Sequence, residues 1–398
     1  MSSKTKSSSS VQSEGERPPF GCRLLTSDAD VWSQSAWDHV PPPNDQDDII
    51  SAALERQRTK PVPPNKKARY NSSPRWFWDQ FYKNNKDNFF RDRKWLHLEF
   101  PDLMRAVEPD AGPVTVVEIG CGAGNSVFPL LTANRNPYLR IFACDYAPEA
   151  IKIVKDNPLY ASPAIGTIAA SVWDLASLDS LPEGIEEGQV DMAILIFVLS
   201  ALSPKEWHRA LHNLHRILKP GGKVLLRDYG RHDLTQLRFR EERLLEENFY
   251  IRGDGTRVYF FELDELAVLF TGLPAPKHLT QVTESSEPSM GVEGQSDIYP
   301  PLPDVPSPDA SRGSLQSAIF GQASGSGEVV VDQLQDEATN IDRSADILIS
   351  SCQDCDNSLP SQPLFSIKQL GVDRRLLVNR KRQLKMYRVW MQAQFVKD

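Results

Sequence analysis

The sequence predicts an α/β fold: a doubly wound, mostly parallel sheet with an antiparallel edge. Three observations carry that expectation. Apolar segments of strand length alternate with helical ones between residues 112 and 273. A glycine-rich segment, Glu118-Ile-Gly120-Cys-Gly122-Ala-Gly124, falls where the first strand meets the first helix. Two more strand-like segments, 365–379 and 386–395 (MYRVWMQAQF), flank a basic turn and can close the sheet antiparallel.

In chain order, residues 1–17 are Ser-rich and of low complexity, and are expected to be a disordered tail. Residues 18–69 form an amino-terminal docking arm and linker, in which 18–40 carry aromatic and aliphatic anchors without periodicity, 49–58 have helical character and Pro and Lys dominate up to Asn65. Residues 70–111 are a helical region leading into the sheet domain, 112–273. There, 114–119 (VTVVEI) is a buried strand, 125–132 a helix, 139–145 (LRIFACD) a strand, 148–155 a helix and 165–170 a third strand. Residues 190–198 (VDMAILIFV) are apolar enough for a central parallel strand. Ser203, Pro204 and Glu206 supply the cap, the first turn and the capping-box acid of the next helix. Lys219-Pro220-Gly221-Gly222 turns into strand 223–227 (KVLLR), and 263–270 is an apolar-faced helix. Residues 274–363, rich in Ser and Pro with two aromatics, cannot bury enough apolar surface to offset their ordering entropy; a disordered acidic insertion is expected. Residues 364–398 supply the last strands.

Thirty prolines in 398 residues, 40% hydrophobic content and a mean hydropathy of -0.41 favour one folded domain with tails over two or three domains. No run approaches the roughly 20 apolar residues of a membrane helix, and the amino terminus lacks a signal core or an Arg-rich transit pattern, so a cytoplasmic protein is expected. Five cysteines in mostly apolar settings read as reduced thiols, which excludes a disulfide-framework class. The net charge of -8 is uneven: residues 274–363 hold 14 Asp and Glu against three Lys and Arg, leaving the remainder at +3. Residues 56–105 have 13 basic and five acidic residues, and 364–398 nine and two. Two basic arms around the sheet domain are the footprint of a polyanion partner.

The glycine segment implies a nucleotide-like cofactor, because glycines let backbone approach a ligand and Asp145, ending the second strand, can accept from both ribose hydroxyls. A nicotinamide cofactor would need that carboxylate too. Three features favour S-adenosylmethionine: the G-x-G-x-G spacing of Gly120, Gly122 and Gly124, Glu118 inside the strand, and Val172-Trp173-Asp174-Leu175 after the third strand. Asp174 would accept from the adenine amino group, with Leu175 against the ring. The fourth strand ends in Ile196-Phe197-Val198-Leu199-Ser200, without the Asn/Asp-Pro-Pro-aromatic tetrad common in methylation of exocyclic amines. That disfavours such an acceptor and leaves Ile196 to pack on the cofactor. No metal is expected: His208, His212 and His215 each follow a residue of the buried stripe, and Cys352-Gln-Asp-Cys355 lacks a second pair.

Several segments resemble one family, the eukaryotic tRNA 3-methylcytidine methyltransferases, which act on cytosine N3 at position 32 of the anticodon loop. They are Trp78-Asp79-Gln80-Phe81-Tyr82-Lys83, Asn88-Phe89-Phe90-Arg91-Asp92-Arg93, Ile196 to Ser200, Arg227-Asp228-Tyr229-Gly230, 248–261 (NFYIRGDGTRVYFF) and Asp373-Arg374-Arg375 through Trp390. Phe20-Gly21-Cys22-Arg23-Leu24-Leu25 and Ala36-Trp37-Asp38 look like the threonine-tRNA branch rather than the serine-tRNA branch. The resemblance implies a Rossmann-like class I S-adenosylmethionine-dependent methyltransferase domain at 112–273 and a lid and RNA-binding region at 70–111, with Trp78 and Tyr82 over the methionine end of the cofactor. It also implies a tRNA partner, with an aminoacyl-tRNA synthetase or another adaptor as a further one; the oligomeric state stays open.

Cytosine N3 carries its own lone pair, so attack on the methyl group needs alignment more than a base. The ring becomes a cation, which makes a carboxylate near the cytosine amino group useful. Asp228 is the candidate, with a purely structural role as its alternative. The basic segments make Lys83, Phe89, Arg91, Arg93, Arg227, Tyr229, His232, Arg374, Arg375, Arg380 and Arg382 the candidate RNA contacts. The rivals are the same reaction on serine tRNA, a methyltransferase for protein or small molecules, and, last, a scaffold that has lost transfer.

Overall fold

In the computed structural model, which describes residues 23–93, 95–178, 180–276 and 364–398, the elements follow in this order. They are β1 (Ala36–Asp38), α1 (Gln46–Thr59), α2 (Pro64–Ser72), α3 (Pro74–Asn85), α4 (Leu96–Glu99), α5 (Pro101–Ala106), β2 (Val114–Ile119), α6 (Val127–Ala133), β3 (Leu139–Asp145), α7 (Pro148–Asp156), α8 (Pro158–Ala161) and β4 (Thr167–Val172). Then come β5 (Val190–Ile196), α9 (Trp207–Ile217), β6 (Leu218–Tyr229), α10 (Leu234–Leu237), β7 (Leu244–Glu246), β8 (Phe249–Ile251), β9 (Arg257–Tyr259), α11 (Leu263–Thr271), β10 (Phe365–Asn379) and β11 (Leu384–Lys397). The expectations for residues 1–17, Phe20 to Cys22, Cys352, Cys355 and nearly all of 274–363 lie outside the described residues.

The main sheet has the order β1-β10-β11-β6-β5-β2-β3-β4. β6, β5, β2, β3 and β4 are mutually parallel, while β11, β10 and β1 add antiparallel, each to the last. Successive residues feed opposite faces, as strand pleating requires: Val117 and Phe142 enter the core under α9 and α11, Val116 and Ile141 the core under α6 and α7. Both faces are covered, which explains the continuous apolar run of β2 and β5. α9 buries Trp207, Ala210, Leu211, Leu214 and Ile217 at helical spacing, behind a complete Ser203–Glu206 capping box. Its three histidines lie half-buried on the neighbouring face, and no metal-holding cluster occurs among the described residues. No described helix is long and apolar enough to cross a membrane.

Differences from expectation have local causes. α6 starts at Val127, two residues late, because Asn125 and Ser126 remain in the loop. β4 starts at Thr167 because Gly166, at φ +79°, still belongs to the turn. β5 stops at Ile196 because Phe197 takes φ +61°. Lys219 to Gly222 loop out within β6, where the pairing with β5 jumps from Leu218 to Lys223. The stretch expected as linker contains α2, opened by Pro64. A second sheet, β7-β8-β9, was not foreseen; it is antiparallel.

Candidate active site

Three glycines shape the loop after β2. Gly120, Gly122 and Gly124 all have positive φ, and a Cβ on Gly120 would fall 2.5 Å from Val198. Glu118, fully buried, ties this loop down from behind: one oxygen accepts from Arg93 Nη1 at 2.8 Å and the other from the Val127 N–H at 3.1 Å. Burial pushes its carboxyl up to about 7, against the pull of Arg93. Asp145, at the end of β3, accepts from the Gly122 N–H at 2.8 Å and the Ala147 N–H at 2.9 Å, and burial raises it to about 6. Asp174 uses Oδ1 to accept from the Ala176 N–H, while Oδ2 has no hydrogen bond among the described residues.

A cavity of about 210 Å³ opens over this cradle. Gly120, Gly122, Asp145, Asp174, Leu175 and Ile196 line it, as do Trp78 and Tyr82 from α3, whose near-parallel rings lie 6.2 Å apart. Phe197 and Tyr229 also line it, their ring centroids 4.6 Å apart, and Trp390 meets Phe197 edge-to-face at 5.9 Å. Glu118 and Gly124 do not line the cavity; they fix the loop that does. Backbone brought close by glycines, a carboxylate at the end of β3, a free carboxylate oxygen beside Leu175 and an aromatic cover together fit a nucleoside-bearing donor.

Asp228 takes the structural alternative. It is fully buried, accepts from the Ser200 N–H at 2.9 Å and the Tyr229 N–H at 2.8 Å, and is absent from the cavity wall. Burial raises it to about 6, and its bonds hold the turn that carries Phe197 and Val198.

The candidate RNA contacts divide sharply. Lys83, Arg91, Arg380 and Arg382 are exposed, Lys83 with an ion pair to Asp79 at 2.8 Å. Phe89 is 56% exposed at the cavity mouth, whereas Tyr229, His232 and Arg374 are half-buried. Arg93, Arg227 and Arg375 correct the expectation. Arg93 is spent on Glu118 and Ser126. Arg227, 1% exposed, donates to Asp373 at 2.6 Å and to Gln392, between Trp95 at 4.6 Å and Trp390 at 5.3 Å. Arg375 pairs with Asp38 at 3.2 Å, Asp373 at 2.8 Å and Glu99. A guanidinium enters an interior only with such partners, and these two are sequestered from any ligand.

Sequence reasoning gave no role to the turn between β8 and β9, yet Arg252, Asp254, Thr256 and Arg257 line the cavity, Arg257 pairing with Glu206 at 2.8 Å. The Gly253-Asp254-Gly255 run between aromatic-rich segments was the available signal for a hairpin.

A methyltransferase-domain family model matches residues 89–273. The chain is 41% identical over 377 residues to the tRNA(Thr) (cytosine(32)-N(3))-methyltransferase of Saccharomyces cerevisiae, covering 94% of this chain and 45% of that protein, so it spans less than half of that relative's length. It is 39% identical over 378 residues to the tRNA N(3)-methylcytidine methyltransferase of Schizosaccharomyces pombe, covering 95% and 92%. A tRNA N(3)-cytidine methyltransferase of Xenopus tropicalis is 38% identical over 289 residues, covering 65% and 85%. Among solved structures, a SAM-dependent methyltransferase from Methanosarcina mazei aligns at a TM-score of 0.39 and 15% identity, covering 75% of this chain and 97% of that one.

Proposed function

Because the chain belongs to the tRNA N3-methylcytidine methyltransferase family, we propose that it forms 3-methylcytidine at position 32 of the tRNA anticodon loop, threonine tRNA being favoured. The observation that carries this reading is one cavity lined both by the glycine cradle with Asp145 and Asp174 and by the Phe197–Tyr229 aromatic pair. S-adenosylmethionine, when bound, supplies an electrophilic methyl group. Asp145 would accept from its ribose, Asp174 Oδ2 from its adenine amine, and Leu175 and Ile196 would flank the adenine. Phe197 and Tyr229 offer π-faces to a base drawn out of its stack, as chemistry on a Watson–Crick edge demands. With a lone pair already on N3, alignment and exclusion of water carry the rate. Threonine tRNA is favoured by the name of the yeast relative and by Ala36-Trp37-Asp38. Exposed Arg91, Arg380 and Arg382 would meet the tRNA backbone; an adaptor protein and a cytoplasmic location complete the proposal.

The test is methyl transfer from labelled S-adenosylmethionine to threonine tRNA, serine tRNA and a threonine tRNA with uridine at position 32, followed by nucleoside analysis. Labelled 3-methylcytidine is expected only where cytidine 32 is present, most with threonine tRNA. Label in protein, or in a different nucleoside, would overturn the reading.

A further inference from the structure

We infer that Arg252 binds the phosphate next to the target nucleotide and so anchors that nucleotide with its base in the cavity. This rests on the proposed reaction and adds a substrate-binding residue to it. Arg252 follows β8 and begins the turn into β9. Its N–H donates to the Thr256 carbonyl at 2.8 Å, and Asp254 accepts from the Thr256 N–H and hydroxyl at 2.9 and 2.7 Å. The turn is also braced against the lid helix: a Cβ on Gly255, at φ +83°, would lie 2.2 Å from the Phe77 ring. A side chain leaving this turn therefore starts from a fixed backbone.

The guanidinium itself is underused. Nη1 reaches Thr256 Oγ1 and the Arg257 carbonyl only at 3.4 Å each, and Cζ stands 5.4 Å from the Tyr229 ring. Nε and Nη2 make no hydrogen bond to any described residue, and no carboxylate pairs with Arg252 among them. Every other arginine named above for the interior of the domain, Arg93, Arg227, Arg257 and Arg375, has a carboxylate within 3.2 Å. Arg252 lines the cavity, as Arg93 and Arg257 do, but it is the one of these five with no carboxylate at ion-pair distance among the described residues, and it is half-buried.

The reaction makes a cation without a contacting carboxylate costly there. The donor is a sulfonium and the product base is a cation, so a bare guanidinium would oppose both. A nucleotide phosphate removes that conflict, since it arrives with its own negative charge and matches the fork of Nε and Nη2 donors. A contact to cytosine O2 would leave the conflict in place.

The test is a thermodynamic cycle on the full-length chain. Binding is measured for wild type and Arg252→Ala with threonine tRNA carrying either normal linkages or one neutral methylphosphonate, placed 5′ or 3′ of cytidine 32. Arg252→Ala is expected to weaken binding of normal tRNA roughly 10- to 100-fold, the range of a charge-assisted bond, and to lower the salt slope by about 0.7. One of the two methylphosphonates should cost wild type a similar factor and cost the variant almost nothing. An unchanged urea-unfolding midpoint is the folding control; if the Ala variant fails it, the same cycle is run with Arg252→Lys, where partial coupling is expected. Additive losses at both linkages would overturn the assignment, whether Arg252 then proved to touch the base or nothing. Wild-type 3-methylcytidine formation, scored in parallel, separates that failure from failure of the proposed reaction.

Discussion

The Tyr82 hydroxyl stands where a side chain on Gly122 would have to go: a Cβ built on that glycine falls 2.6 Å from it. Lid and loop are thus fitted to each other at one glycine, which also sits at φ +56°.

Gly122→Ala meets both the clash and the left-handed backbone. It is expected to weaken S-adenosylmethionine binding by about 1–3 kcal/mol, the cost of a strained position. Calorimetry on Gly122→Ala with and without Tyr82→Phe separates the two contributions, because losing the hydroxyl relieves the clash while the ring stays in the lid. Wild-type affinity in the single variant would remove Gly122 from the cradle.

Asp145 ties binding to pH. Burial holds it at about 6, so it gains a proton as the pH falls through that value and loses acceptor capacity. Cofactor affinity is expected to drop as pH falls through about 6 and to be flatter in Asp145→Asn, whose affinity should already be lower by about 1–3 kcal/mol. Calorimetry across the pH range reads both, and a pH-independent wild-type affinity contradicts the assignment.

Asp228 ties stability to pH in the opposite sense. Its folded value of about 6 lies above that of an unfolded-chain carboxylate, so between the two the native state holds a proton that the unfolded state has released. The resulting stabilisation is present at the acid end and lost as pH rises through about 6. Urea denaturation should show wild type losing ground to Asp228→Asn over that window and holding a constant difference above it. A constant difference throughout would sink the prediction.

Arg227 and the exposed turn arginines should behave differently. Arg227→Ala removes one of the two buried guanidiniums paired with Asp373, along with the hydrogen bond to Gln392, and is expected to cost about 3–5 kcal/mol in denaturant unfolding. Arg380→Ala with Arg382→Ala should leave stability and cofactor affinity alone while flattening the salt dependence of tRNA binding by roughly one unit per lost phosphate contact. An unaltered slope in the double variant would clear that turn of any part in RNA binding.

The parallel half of the sheet was legible because burial on both faces writes itself into short apolar runs such as 114–119 and 190–196, and because a glycine loop needs its residue types in sequence. β1 was not, since three residues cannot display a period and their pairing partner, β10, is more than 300 positions away. Basic composition misplaced Arg227 and Arg375 for a related reason. A guanidinium is recognisable as interior only by its acids, and Asp38, Glu99 and Asp373 come from segments that local reading treats separately. Asp228 was located at the correct strand end, but whether a carboxylate faces a cavity or a backbone turn depends on side-chain direction, which neither period nor motif encodes.

The sheet order sets a timetable for synthesis. β6 is made long before β11, its permanent neighbour, and β1 precedes every other described strand yet pairs with β10, which follows all but one of them. Throughout translation of the intervening residues, the nascent chain therefore carries an open strand edge at Lys223 to Tyr229 that would accept any extended segment offered to it. The ion cluster of Arg227 likewise waits for Asp373 and Gln392, so it is assembled last. A ribosome-stalled chain ending before residue 364 should bind a protector of exposed edges, and release it only when the final two strands have cleared the exit tunnel.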